Sequence, residues 1–155
     1  MSATPESFLT VLGFDYGSRL IGVAVGNRLA ASARALATIG NGSGGPDWAP
    51  LDALVRDWTP DAFVVGLPLT LDGGEQAATR GARAFAAALQ RRYGRPVFTA
   101  DERYTSREAS RRFADQRARG TARRKDAKAL DALAAQIILE AWMAAPDIPD
   151  LPSAP

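Results

Sequence analysis

The sequence predicts an α/β domain on a mixed five-stranded sheet, with an antiparallel meander first and helix-connected parallel strands after it. Three observations lead there. Two apolar runs, 8–15 and 20–26, are separated by a glycine-containing turn too short for a crossover, so they pair antiparallel. Beyond residue 46, strand-length apolar runs alternate with segments of helical periodicity. The run Ala62–Leu69 is almost wholly apolar, as a strand covered on both faces requires.

The elements follow in order. Residues 8–15 and 20–26 form the first hairpin, and 30–39 a third strand whose alanines dilute the β signal. Gly40 to Pro46 is a glycine-rich loop. A helix over 47–58 takes Asp47 as its cap, with Trp48, Leu51, Leu54, Val55 and Trp58 on one face. Pro60 ends it, and Ala62–Leu69 is the fourth strand. An alanine-rich helix over 75–92 stops at Gly94, and 96–100 is the fifth strand. Thr105 and Glu108 have capping-box spacing for a helix over 105–118. A last helix, 126–144, buries Leu130, Leu133, Ala134, Ile137, Ile138, Ala141 and Trp142. Residues 1–145 make one domain, and 146–155, with four prolines, read as a disordered tail.

Composition excludes several chemistries. The chain has no cysteine and no histidine, hence no disulfide, no thiolate metal site, no Ser-His-Asp triad and no His-ligated zinc. Hydrolysis would rest on carboxylates and a hard cation held by oxygen. The start lacks the basic and apolar regions of a signal peptide, and Leu130–Ala145 is too short and polar to span a bilayer, so the expected location is the cytoplasm, with no membrane partner.

The net charge of +2 is unevenly distributed. Residues 103–128 hold ten basic against three acidic residues, a net +7, while the remainder holds nine basic and fourteen acidic, a net −5. Arg103, Arg123, Arg124, Lys125 and Lys128 lie in the basic stretch, which suits a polyanion such as nucleic acid. A solvated helix face is the alternative reading.

Three places put an acid where a strand end or helix start can face one cleft. Asp15 ends the first strand before Gly17, Asp101-Glu102 ends the fifth, and Asp131 interrupts the apolar face of the last helix. A buried carboxylate is costly unless a cation or donors meet it. Alternation along a strand sends one of Asp101 and Glu102 to the cleft and the other away, without saying which. Turn capping by Asp15, loop hydrogen bonding by Asp101 and a helix-dipole role for Asp131 are the structural alternatives. Arg19 and Arg103 flank these acids as candidate phosphate ligands, or as ion-pair partners. Tyr16 and Tyr104 are placed for base stacking or for packing. Gly66-Leu67-Pro68 with Asp72-Gly73-Gly74 is either a phosphate-approaching loop or an ordinary turn.

Several of these motifs in this order resemble the YqgF family of pre-16S rRNA nuclease and Holliday junction resolvase-like proteins. The resemblance covers about Thr10 to Trp142: Phe14-Asp15-Tyr16-Gly17, Ile21 to Gly26, Pro46-Asp47-Trp48, Val65-Gly66-Leu67-Pro68, Asp101-Glu102-Arg103, and Lys128 to Leu139 around Asp131. It implies an RNase H-like fold, catalytic and metal-binding roles for Asp15, Glu102 and Asp131, Mg²⁺ or Mn²⁺ as cofactor, and trimming of the 5′ end of precursor 16S rRNA. Tyr104 stands where the family often has leucine. In related resolvases the second acid tends to end the fourth strand, and Val65–Leu69 has none, which points to Glu102. The competing readings are a DNA junction resolvase, which would act as a dimer, a non-catalytic RNA-binding module, and a sugar-kinase-like ATPase. The last would need two such domains. The oligomeric state is left open.

Overall fold

The computed structural model describes residues 9–68, 74–101 and 127–144. The expected helix over 105–118, most of the basic stretch and the proline-rich tail lie outside the described residues. The described elements are β1 (Thr10–Tyr16), β2 (Leu20–Asn27), β3 (Ser32–Gly40), α1 (Trp48–Trp58), β4 (Ala62–Leu67), α2 (Ala77–Tyr93), β5 (Val97–Asp101) and α3 (Ala127–Ala144).

They form one five-stranded sheet in the order β3-β2-β1-β4-β5. β1–β2 and β2–β3 pair antiparallel, while β1–β4 and β4–β5 pair parallel. The parallel pairs bring the C-terminal ends of β1, β4 and β5 to one edge. Asp61 fastens the opposite edge, accepting from the Leu9 and Thr10 amides at 2.9 Å each.

Alternation along each strand divides the core into two layers. Leu12, Phe14, Ile21, Val23, Phe63, Val65 and Val97 meet α1 and α2 on one face. Val11, Ala24, Ala62, Val64 and Phe98 meet Ala135, Ile138, Leu139 and Trp142 of α3 on the other. Aromatic rings fill the first layer: Phe85 of α2 sits edge-on to Phe14 at 5.3 Å, with Tyr16 at 5.5 Å and Trp48 at 6.1 Å. The strand side of the second is rich in glycine and alanine, with Phe98 set against Trp142 of α3 at 5.1 Å. A methyl on Gly26 would touch the Met143 sulfur at 3.2 Å, and one on Gly13 would strike Leu139.

α1 and α2 are joined by one polar cluster. Arg92 grips Asp52 with two N–H···O bonds of 2.7 and 2.8 Å, and the Tyr93 hydroxyl donates to the same carboxylate. These donors hold the Asp52 carboxyl down at about 2, Arg92 foremost. Asp47 is the α1 N-cap residue, as expected, but its side chain makes no cap hydrogen bond. Thr59, in the left-handed region at φ 43°, ends α1, and Gly94, at φ 65°, ends α2. The third strand forms despite its alanines by pairing with β2 from the Leu20/Gly40 pair to the Asn27/Ser32 pair, and Gln136 of α3 accepts from the Ala35 amide at 3.1 Å. A register shift falls beside it, between Val23 and Ala24.

Candidate functional site

Asp15 is the next-to-last residue of β1 and half-buried. It shares a strand face with Val11 and Gly13, both covered by α3. Its carboxylate therefore belongs to the α3 side of the sheet. Its antiparallel partner is Gly22 of β2. On the other side, Phe14 pairs with Val65, which sets Asp15 beside Gly66, and Gly66 pairs with Ala100. The row crossing the sheet here reads Gly22, Asp15, Gly66, Ala100: one acid among residues with little or no side chain.

α3 comes closest to the sheet at this row. A Cβ on Gly22 would run into the carbonyl oxygen of Asp131 and would lie 2.9 Å from the Ala132 nitrogen. Glycine at 22 is what lets the helix backbone descend to the strand. Paired residues in adjacent strands lie about 4.5–5.5 Å apart, so Asp131 enters the layer directly beside Asp15. Asp131 is half-buried, and burial pushes its carboxyl above the ordinary value of 3.8. An ionised Asp131 thus carries an unmet desolvation cost that a nearby cation would offset.

Asp101 takes the other side. Phe98 and Ala100 belong to the α3 layer and Val97 to the α1/α2 layer, so alternation gives Asp101 to the face away from Asp15, where it is exposed. That resolves the ambiguity of the pair as far as Asp101 is concerned. Glu102 lies outside the described residues, as do Arg103, Arg123, Arg124 and Lys125. Lys128 is in the first turn of α3, three residues before Asp131. Among the described residues, no group of three acids is assembled to hold a metal ion. The two acids that are brought together offer only carboxylate oxygens, a donor set that fits a hard divalent cation.

Arg19 is exposed in the β1–β2 turn. Asn41, just past β3, clamps that turn: its side-chain amide donates to the Gly17 carbonyl at 2.7 Å and its backbone amide to the Arg19 carbonyl at 2.8 Å. Tyr16 is committed to packing rather than to a base, its ring lying against Phe85 and Gly81 of α2. The loop after β4 begins with a carbonyl already in use: Pro68 accepts from Thr79 Oγ1 at 2.6 Å and Gln76 Nε2 at 3.1 Å. Asp72 and Gly73 lie outside the described residues. Two surface pockets, one by Arg34 and Trp58 and one between α2 and β5, lie away from Asp15. Sequence reasoning missed Gly22 and Asn41 as parts of this edge and took Gly66 only as the start of a candidate phosphate loop. The glycines inside apolar strands were the available signal for close approach, and Asn41 left none.

The strand order, the helix-covered faces and the acid at the end of β1 define an RNase H-like architecture of the RuvC type. The solved structure of T. thermophilus RuvC in complex with Holliday junction substrate superposes with a TM-score of 0.51, covering 84% of this chain and 91% of that one at 20% identity. Residues 9–145 match the family RuvX, described as Holliday junction resolvase. The chain belongs to that family, the YqgF family of the sequence resemblance, and is a nuclease by class. A relative from Xanthomonas axonopodis pv. citri named "Putative pre-16S rRNA nuclease" is 57% identical over 138 residues, 89% of each chain. One of the same name from Xanthomonas oryzae pv. oryzae matches equally.

Proposed function

We propose that this protein is a metal-dependent endonuclease that hydrolyses phosphodiester bonds near the 5′ end of precursor 16S rRNA, acting in the cytoplasm. Asp15, Glu102 and Asp131 are the proposed catalytic acids and metal ligands, with Mg²⁺ or Mn²⁺ as the ion. The observation that carries the reading is the descent of α3 onto Gly22, which sets Asp131 beside the strand partner of Asp15. Burial raises the Asp131 carboxyl, a desolvation cost that a cation held in this layer would offset. The names of the Xanthomonas relatives support precursor rRNA as the substrate.

Bound there, a divalent ion would supply activation of the attacking water and neutralisation of charge at the scissile phosphate. The chain's own part is to hold oxygen donors in a fixed arrangement. β1 fixes Asp15, and α3 fixes Asp131 against the glycine opposite. Gly66 and Ala100 leave room on the α3 face beside Asp15 for a phosphate to approach. Arg19, on its clamped turn, would contact phosphate oxygens, and Arg103, Arg123, Arg124, Lys125 and Lys128 would extend that contact along the strand.

The test is Asp15→Asn assayed on labelled precursor rRNA with Mn²⁺. Cleavage is expected to fall at least about 1,000-fold, with RNA affinity and thermal stability nearly unchanged. Undiminished cleavage in a preparation free of contaminating nuclease overturns the assignment. The family's description favours a second reading, cleavage of four-way DNA. The same assay decides between them through the ratio of rates on the two substrates.

A further inference from the structure

We infer that Arg80 joins Arg19 to form a cationic rim along the sheet edge that bears Asp15, and that this rim grips phosphates of a bound nucleic-acid strand on both sides of the candidate site. The inference rests on the nuclease reading above and adds a residue and a surface to it.

Arg80 lies in the first turn of α2, between two residues fastened to this edge. Thr79 donates to the Pro68 carbonyl at 2.6 Å, and Pro68 directly follows β4, whose Gly66 lies beside Asp15. A methyl on Gly81 would meet the ring of Tyr16 at 2.8 Å, and Tyr16 directly follows Asp15. Arg19 belongs to the turn on the β2 side of Asp15, and Arg80 to the helix that begins after β4, on its other side. Arg19 and Arg80 thus stand on different elements at the edge that bears Asp15, Arg80 on the helix that covers the opposite face of the sheet, each on a backbone segment pinned by hydrogen bonds.

The charges of α2 are not equivalent. Arg83 is paired with Glu75 at 2.8 Å and Arg92 with Asp52 at 2.7 Å. Arg80 is exposed and makes no ion pair among the described residues, and the same holds for Arg19. No acid occupies the first turn of α2. A cation in that position also opposes the helix dipole, which favours anions there. A phosphate reverses that disadvantage and offers arginine a two-pronged acceptor. Arg91, exposed and likewise without an ion pair among the described residues, lies eleven positions further along α2. At 1.5 Å per residue it is about 16 Å from the edge, which makes it an internal control.

The experiment titrates a labelled single-stranded RNA with the full chain carrying Asp15→Asn, across a range of salt concentrations. Adding Arg80→Gln is expected to lower the slope of log affinity against log salt by about 0.7, the share of one phosphate on a single strand. Arg19→Gln is expected to do the same, and the pair to add. Arg80→Lys should keep the slope, and Arg91→Gln should leave it unchanged. A slope unmoved by Arg80→Gln, an equal drop with Arg91→Gln, or no RNA binding at all overturns the rim. Cleavage that survives Asp15→Asn would instead overturn the roles of the acids, leaving the rim to be judged on the slopes alone.

Discussion

The two faces of the sheet are built from different materials. The α1/α2 face is filled by Phe14, Tyr16, Trp48, Phe63, Phe85 and Tyr93, large rings that bury much apolar area per residue. The α3 face is paved with Gly13, Gly22, Ala24, Gly26 and Ala62, which give up side-chain area and gain proximity. Bulk on one side carries stability. Thinness on the other lets a helix backbone reach a strand backbone and bring a second acid to the first. The proposed site residues Asp15 and Asp131 are on the thin side, so stability and chemistry should come apart when the faces are mutated separately.

Phe85→Ala attacks the bulky face and has the largest expected effect on stability, a loss of about 3–5 kcal/mol in chemical denaturation. The fraction still folded should cleave at close to the normal rate. A matching loss of specific activity would show that the two faces are not separable. Gly22→Ala attacks the thin face. Overpacking against the Asp131 carbonyl should cost about 1–3 kcal/mol, yet cleavage should fall far more than stability, because α3 must move away from Asp15. Gly13→Ala meets the buried Leu139 side chain instead of the α3 backbone and provides the comparison. Equal loss of cleavage in both variants would remove the special role of residue 22.

The smallest effect has the opposite sign. Burial raises the Asp131 carboxyl in the folded state, so the unfolded chain gives up that proton at lower pH than the folded one. Above the ordinary value of 3.8 the ionised group therefore costs stability. Without metal at neutral pH, Asp131→Asn should stabilise the fold, by less than about 1 kcal/mol because the group is only half-buried. The gain should vanish as pH falls below 3.8. Melting curves at pH 7 and pH 3 would check this, and a destabilised variant at pH 7 would contradict it.

Much of this was legible in the residues. Apolar runs gave β1, β2 and β4, and the turn at Gly17 gave the antiparallel pairing. Helical spacing gave the buried face of α1. For α3 it gave Ile138 and Trp142 but missed Ala135 and Leu139, which also meet the sheet; Leu130, Leu133, Ala134 and Ile137 form a separate cluster, and Ala141 is exposed. Asp131 stood out as an acid on an apolar helix face, and its backbone carbonyl lies over Gly22, the strand partner of Asp15. The layer assignment of Asp101 was not legible, because alternation fixes relative faces but not which face a helix covers. Arg80 was invisible for a similar reason: many exposed arginines look alike until the contacts of Thr79 and Gly81 tie one of them to an edge. Tyr16 had two readings, base stacking and half-buried packing; it packs, against Phe85, a ring partner distant in sequence.

Asp15 comes from the first strand of the sheet and Asp131 from the helix that is made after every strand. During synthesis, a nascent polypeptide with all five strands already emerged still holds only half of the pair. If Asp15 and Asp131 act together as proposed, the pair is completed late and all at once, when the closing helix docks.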